Sequence, residues 1–461
     1  MKPATAILTA AQMRAAERAV FASGVPEYDL MERAGAAAAE VIWRAGKKRD
    51  LLLLCGPGNN GGDGFVIARL LRERGAPVRV AVLGESSTPS SRTARARWNG
   101  PVETLADAAP AQQIVDALFG TGLSRGLDAA TAAKLCALME RADFSYAIDL
   151  PSGVDTDSGT LLSAIPHYGV CIALGALKPA HMLQPAPAYW RRLALADIGI
   201  DASAAVHRLH PPHLMAPDAS SHKYSRGLVA IIGGEMPGAA MLASHAAARA
   251  GAGMVRQLTD QSSVDGAHAI VTQPIATKAD LDLALEDPRI AALLIGPGLG
   301  QGKRAEDRLA AAIASGQPLV LDADALNLLA GKAIPPGAVL TPHEGEFIRL
   351  FGQLPGNKID RAAGAARQSG AIIVYKGSDT VIAAPDGRAA VADNGSPWLS
   401  TAGTGDVLAG LVAGRLAVTH DGFRAACEAV WLHGEAARHA GPAFIADDLL
   451  ATLPAAIAAR L

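Results

Sequence analysis

Three aspartates stand where a carboxylate can work on a proton. Asp116 in VDALFGTGL and Asp149 in AIDLPSGVD each close an apolar run and lead at once into a polar turn. Asp406 closes STAGTGD, immediately ahead of the apolar run VLAGLVAG. At the C-terminal end of a strand in a parallel sheet, a carboxylate packs poorly but is well placed for proton transfer. Each also has a bland local use, as an Asx-turn or a helix cap. A glycine-rich turn accompanies the first two: Gly56-Pro57-Gly58-Asn59-Asn60-Gly61 follows LLLLC and satisfies G-x-G-x-x-G. Its interior, Asn59-Asn60-Gly61-Gly62-Asp63, puts two amides and a carboxylate where a pyrophosphate would want bare backbone N–H groups. No Lys-Ser/Thr pair follows, so this is not a Walker loop. Three readings stay open: a tight turn, a dinucleotide cradle, or oxygen donors for a hard cation.

The second half carries its own set. STAGTGD is a glycine-rich helix start, whose unpaired N–H groups and positive dipole end make an anion hole. LLIGPGLGQG, from Leu293, repeats the strand-then-Gly-Pro-Gly device. TPHEGEF places His343 and Glu346 at a helix start after a strand, where a lone His is more often a satisfied hydrogen-bonding group than a catalyst. Lys376-Gly377-Ser378-Asp379-Thr380 follows a buried strand and suits nucleotide phosphates or ribose.

The elements that must position these residues are legible from pattern. Thr9 caps a helix that ends at Gly24, and a second helix, YDLMERAGAAAAEVIWRAG, lines up Leu30, Met31, Ala34, Ala38 and Val41. Strands and helices then alternate, which implies a parallel sheet with its site at the strand C-termini. From about Asp197 to Ser221 the texture turns to His, Pro and Ser without periodicity and reads as a linker. A second α/β series starts at GLVAIIGGE, contains a hairpin at Asp386-Gly387 and ends in three helices. The expectation is two α/β domains, 1–210 and 222–461. Of the 461 residues 50% are hydrophobic and 4% aromatic, and the formal net charge is −2. Nothing there offers a surface to nucleic acid or to an anionic membrane. Cys55, Cys136, Cys171 and Cys427 are scattered, as reduced thiols of a cytoplasmic protein would be. No apolar run reaches the ~20 residues of a membrane span.

Taken together, QMRAAERAV, GVPEYDLMERAG, CGPGNNGGDGFVIARLL, VDALFGTGLSRG and DLPSGVDTDSG resemble the NAD(P)H-hydrate epimerase domain, over residues 9–200. The resemblance implies a Rossmann-like parallel-sheet domain. Its pocket for a damaged nicotinamide dinucleotide would be lined by Asn59, Asn60, Gly61, Gly62 and Asp63 and by Gly120, Thr121, Gly122, Leu123, Ser124, Arg125 and Gly126. It further implies potassium on Asn60, Asp116 and Ser152, and Asp149 as the acid/base group. After residue 163 the chain departs from the family, reading SAIPHYGVCIALGALKP, although Lys178 falls where a lysine is usual.

Residues 222–460 resemble the ribokinase-like dehydratase domain of the same repair system, through PGAAMLASHAAARAGAGMV, GPGLG, LDADALNLL, TPHEGE, YKGSDTV and STAGTGDVLAGLVAG. That resemblance implies an ADP- or ATP-dependent dehydration with magnesium. Ala239, Gly298, His343 and Asp406 would meet the hydrated nicotinamide, and Lys376, Gly377, Ser378, Asp379, Thr380 and Gly405 the adenine nucleotide. Met236 stands where an aromatic is frequent. A homo-oligomer is expected, with small molecules rather than macromolecules as ligands. The alternative is a ribokinase-like kinase of a small alcohol, with the first domain a dinucleotide-binding regulator or scaffold.

Overall fold

The computed structural model describes residues 5–201, 204–260 and 268–461 and divides into two compact units, the division falling between Val206 and His207. In the first, α1 (Ala10–Ala22) and α2 (Glu27–Gly46) precede β1 (Leu51–Cys55), α3 (Asn59–Glu73), β2 (Val78–Val82), α4 (Pro89–Ala96), β3 (Val102–Thr104) and β4 (Gln113–Ala117). Then come α5 (Ala129–Met139), β5 (Phe144–Ile148), β6 (Tyr168–Leu174) and β7 (Trp190–Ala196). Thr9 caps α1 as expected, in a reciprocal box with Gln12. The seven strands run parallel in the order β3-β2-β1-β4-β5-β6-β7. Every residue of β1 and β4 is buried, because helices cover both faces of the sheet centre. The order reverses between β1 and β4, and a crevice opens at such a switch point beyond the strand C-termini. The Gly56–Asp63 turn, Asp116 and Asp149 therefore meet there.

The turn after β1 has little spare room. A Cβ on Gly61 would lie 1.8 Å from the Gly56 carbonyl oxygen, so only glycine lets α3 begin this close to the strand end. Strands β6 and β7 arise in the segment where the sequence leaves the family pattern. Their half-exposed residues blur the apolar run expected of a parallel strand.

The short strand β8 (Val206–Arg208) begins at the division, and the second unit goes on with β9 (Leu228–Ile232), α6 (Pro237–Arg249), β10 (Met254–Thr259), β11 (Ile270–Pro274), α7 (Lys278–Leu285) and β12 (Ile290–Ile295). Next are α8 (Lys303–Ala314), β13 (Leu319–Leu321), α9 (Ala323–Leu329), β14 (Val339–Leu340), α10 (Glu344–Phe351), α11 (Lys358–Ser369) and β15 (Ile372–Tyr375). The hairpin β16 (Val381–Ala383) and β17 (Ala389–Val391) leads to α12 (Thr404–Thr419), α13 (Gly422–Ala440) and α14 (Ala446–Ala458). The sheet order is β11-β10-β9-β12-β13-β14-β15-β16-β17-β8. It is parallel from β11 to β15 and antiparallel through β16 and β17. Here too the order reverses, between β9 and β12. The fold class is the expected one: two α/β units, each built on a mainly parallel sheet. Among the described residues no helix is long and apolar enough to cross a membrane.

Candidate active sites

In the first unit Asp149 follows β5 with φ of 63°, a left-handed conformation that a non-glycine residue adopts when its surroundings hold it there. What holds it is a full set of donors. The backbone N–H of Thr121 donates to Oδ2 across 3.0 Å, and the Thr121 hydroxyl donates to the same oxygen. Lys178 Nζ lies 2.5 Å from Oδ1, and the Leu174 N–H reaches that oxygen at 3.3 Å. Both members of the ion pair are buried. The Lys178 N–H donates to His181 Nδ1 at 2.8 Å, which leaves the His181 proton on Nε2, 2.6 Å from the Asp149 carbonyl oxygen. Burial works to raise the Asp149 pKa, but the Lys178 charge, then His181 and the hydrogen bonds, bring it down to about 2. His181, by contrast, is lowered to about 4 by burial and by Lys178, so it stays neutral.

The same cavity, of about 270 Å³, is lined by Glu17, Asn60, Asp63, Thr121, Asp149 and Lys178. Asp63 is buried in α3, just past its first turn, and burial, with Asp149 and Glu17 adding their negative charge, pushes its pKa well up. Glu17 on α1 is raised too, chiefly by burial. One carboxyl in the cavity is thus held ionised while another is shifted towards its protonated form. That division of labour suits paired acid and base chemistry.

In the second unit α12 starts from Gly403 with no side-chain cap, so the first N–H groups of this 16-residue helix are free for an anion. Asp406 sits in that first turn. Burial, then the Asp322 charge, raise its pKa, Lys376 works the other way, and the result is about 6. Lys376 Nζ lies 2.8 Å from Asp322 Oδ1 and 3.9 Å from Glu346 Oε2, and the Thr341 hydroxyl donates to Asp322 Oδ1 at 2.7 Å. Beside α12 a second cleft, also about 270 Å³, is lined by Lys376, Ser378, Thr380, Leu399, Gly405 and His433 among others.

Residues 27–180 match the family model described as YjeF-related protein N-terminus, and residues 229–458 match the model of NAD(P)H-hydrate dehydratase. A bifunctional NAD(P)H-hydrate repair enzyme of Moorella thermoacetica is 33% identical over 97% of this chain and 96% of its own length. One of Coxiella burnetii is 34% identical over 96% of each. The chain belongs to the bifunctional NAD(P)H-hydrate repair enzymes. A solved ribokinase-like superfamily protein from Enterococcus faecalis, 25% identical, matches with a TM-score of 0.50 and covers 56% of this chain and 98% of that one.

The residues singled out in the sequence of this repair enzyme are brought together unevenly. Asn59, Asn60, Asp63, Thr121 and Asp149 line the first cavity, whereas Gly61 and Gly62 are buried inside α3. Gly120 lies against it: a Cβ there would stand 3.0 Å from Asn60 Oδ1 and 3.2 Å from the Asp149 Cβ. Gly122, Leu123, Ser124, Arg125 and Gly126 continue as a turn that does not line the cavity, with Ser124 and Arg125 exposed. Ser152 is joined to Asp116 twice, its N–H donating to Oδ2 at 2.9 Å and its hydroxyl to Oδ1 at 2.6 Å.

In the dehydratase unit Ala239 and Gly298 are neighbours, the Ala239 Cβ lying 3.1 Å from where a Gly298 Cβ would be. His343 caps α10, its Nδ1 accepting from the N–H groups of Gly345 and Glu346 at 3.0 and 3.3 Å, and its ring is largely exposed. Gly377, Ser378, Thr380 and Gly405 line the second cleft with Lys376, but Asp379 is turned to Lys358 at 2.6 Å. Several residues of these sites went unassigned in the sequence: Glu17, His181, Asp322 and His433. They share no sequence signal: Glu17 lies on a mixed helix, and Asp322 is an N-cap between a strand and a helix.

Proposed function

We infer that this chain repairs hydrated nicotinamide dinucleotides, epimerising the R and S hydrates in the first unit and dehydrating the S hydrate in the second with an adenine nucleotide. One observation carries the reading: each unit sets an aspartate at the mouth of its sheet with its protonation tuned by named neighbours, Asp149 ionised by Lys178 and Asp406 poised near neutrality. In the hydrate, C6 bears a hydroxyl next to the ring nitrogen. Asp63, whose pKa is shifted upward, gives a proton to that hydroxyl, which leaves as water while the nitrogen lone pair forms an iminium. Water then adds from either face and passes a proton to ionised Asp149, and the two carboxyls re-equilibrate through solvent between turnovers. The Lys178–Asp149 pair keeps the acceptor fixed.

In the second unit the free N–H groups of α12 stabilise charge on the transferring phosphoryl group. Asp406 takes the proton of the C6 hydroxyl as its oxygen bonds to the terminal phosphorus of the nucleotide and the phosphoanhydride bond to that phosphorus breaks, releasing AMP from ADP or ADP from ATP. Phosphate is a far better leaving group than hydroxide, and its departure followed by loss of a C5 proton to water restores the dihydronicotinamide ring. Ala239, Gly298 and His343 stand as proposed contacts for the hydrate.

Two cations belong to this reading. For potassium the donors fit by type, all oxygens: Asp116, Ser152 and Asn60. Asp116 is wholly buried, and burial raises its pKa, the condition a resident cation would relieve. The Asn60 amide nitrogen is buried without a partner, and turning that amide over would present its oxygen instead. Potassium there would neutralise Asp116 and tie the β1 and β4 turns together. For magnesium, no group of three His, Cys, Asp or Glu is gathered among the described residues. An ion that retains its waters and is carried on nucleotide phosphates needs no such cage.

The test is to mix the protein with R and S hydrates, magnesium, potassium and ADP or ATP, and to follow the near-ultraviolet absorbance of reduced nicotinamide. Full recovery is expected, whereas phosphorylation of simple alcohols without recovery would favour the kinase reading. Dehydration should also report the state of Asp406. A base must be ionised to act, so with a pKa of about 6 the rate should climb as pH rises through that value and level off above it. A flat profile between about pH 5 and pH 7 would remove Asp406 from that role.

A further inference from the structure

Asp149 is held in a strained turn, and its own main chain shows by what. The Leu150 N–H donates to the Ile148 carbonyl at 2.9 Å around Asp149, whose φ is 63°. That is the rare form of γ-turn, which an L-residue keeps only where its surroundings over-determine it. The Asp149 N–H donates to the Ile172 carbonyl of β6 at 2.8 Å. Its carbonyl accepts from His181 Nε2 at 2.6 Å and, more weakly, from the Cys171 thiol at 3.5 Å. His181 ends the short 3₁₀ turn Pro179–His181 and is 2% exposed. Both of its ring nitrogens meet backbone groups of fixed polarity. The Lys178 N–H can only donate, so Nδ1 accepts, and the Asp149 carbonyl can only accept, so Nε2 carries the single proton of a neutral ring. Trp190 stands edge-on to that ring with centroids 6.2 Å apart.

One rigid ring therefore ties the main chain of Asp149 to the main chain of Lys178, the two residues whose side chains form the buried ion pair. His181 is not among the residues that line the cavity, so whatever it does for the reaction it does through them. We propose that His181 is a positioning residue for epimerisation: its bond to the Asp149 carbonyl keeps the strained turn in place, and with it the aim of the carboxylate. Without that bond the turn can relax to an ordinary negative φ, which swings the side chain away from Lys178 and Thr121. A reacting group displaced by about 1 Å can lose up to about 10²-fold in rate. The proposal rests on the reading of Asp149 as the proton acceptor of the first unit and adds to it the residue that aims it.

The test follows interconversion of the R and S hydrates by the full chain, separating the epimers by chromatography and subtracting the spontaneous rate. Nucleotide is left out, which keeps the second unit silent. Three substitutions divide the two bonds of the ring. His181→Gln keeps a donor near the place of Nε2, His181→Asn keeps an acceptor near the place of Nδ1, and His181→Leu keeps neither. His181→Leu and His181→Asn are expected to lose about 10- to 100-fold in kcat with KM within about twofold, while His181→Gln stays within about fivefold of the wild type. A role confined to stability would lower the melting temperatures and leave kcat of the folded protein unchanged in all three, which overturns the proposal. A loss confined to KM would make His181 a contact of the hydrate and overturn it too. Rescue by His181→Asn and not by His181→Gln would place the requirement on the Lys178 turn, and equal losses in all three would place it on packing of the ring; both overturn it. Should His181→Leu fail to fold, the comparison of His181→Gln with His181→Asn decides alone. Asp149→Asn, assayed alongside, separates this proposal from the reading beneath it. Epimerisation at the wild-type rate in that variant would remove the acceptor assignment and the proposal together, whereas an inactive Asp149→Asn beside a fully active His181→Leu would remove the proposal alone.

Discussion

Asp406→Asn is expected to lower nucleotide-dependent dehydration of the S hydrate by roughly 10²–10⁴-fold, the usual cost of removing a general base. The amide keeps the shape of the carboxylate in the first turn of α12 but cannot take the hydroxyl proton. Nucleotide affinity should move little, because Lys376 remains fixed by Asp322 at 2.8 Å and the helix N-terminus stays uncapped. Stability gives a second readout of opposite sign. The Asp406 pKa is raised in the folded protein, so ionising it opposes folding, and this penalty is fully present above about pH 6 and vanishes below the ordinary carboxylate range. The variant should therefore match or exceed the wild type in thermal stability at neutral pH, with the gap closing as the pH falls to about 4. Turnover within tenfold of wild type, in a variant that still binds ADP, would show that another group accepts the proton.

The sequence disclosed the two α/β units and the places where each sheet delivers its chemistry, because those features depend on short-range pattern. A buried leucine run followed by a glycine turn fixes where β1 ends, and an aspartate after an apolar run marks the ends of β4 and β5. What stayed hidden depends on partners far apart in the chain. Asp149 finds Lys178 only after β6 has crossed back beside β5, and Lys376 finds Asp322 across two intervening strand–helix steps. Asp63 looked like one more oxygen donor in a loop. Its upward-shifted pKa comes from burial and from the carboxylates of Asp149 and Glu17, which no local pattern reports. His343 shows the reverse case. Its sequence setting at the start of HEGE allowed a helix-capping use, and the structure gives that use to its Nδ1 while its ring stays largely exposed. The strand Val206–Arg208 was masked by a polar, proline-rich neighbourhood that reads as linker, since a short edge strand needs backbone pairing more than apolar side chains.

Asp149→Asn should abolish the R-hydrate phase of repair and destabilise the first unit at the same time. In a mixture of hydrates, the S form is consumed first and the R form follows only as fast as it is epimerised. The second phase should therefore fall to the spontaneous rate, while the first, which belongs to the other unit, keeps its speed. The stability cost arises because Lys178 is left buried with its charge uncompensated, a loss of about 3–5 kcal/mol when one partner of such a pair is removed. The sign of the pH dependence follows from the depressed pKa. The pair's contribution is present above the ordinary carboxylate range and is lost as the pH falls through about 2. Acid should thus unfold the wild type along the same route by which the substitution weakens it at neutral pH. Adding Lys178→Met to Asp149→Asn removes the stranded charge, so the double variant should regain much of the lost melting temperature. It should not regain the R-hydrate phase, because the proton acceptor is still missing. Recovery of both together would make Asp149 a structural anchor and pass the role to Asp63 or Glu17. Recovery of stability alone would separate the two functions of one carboxylate.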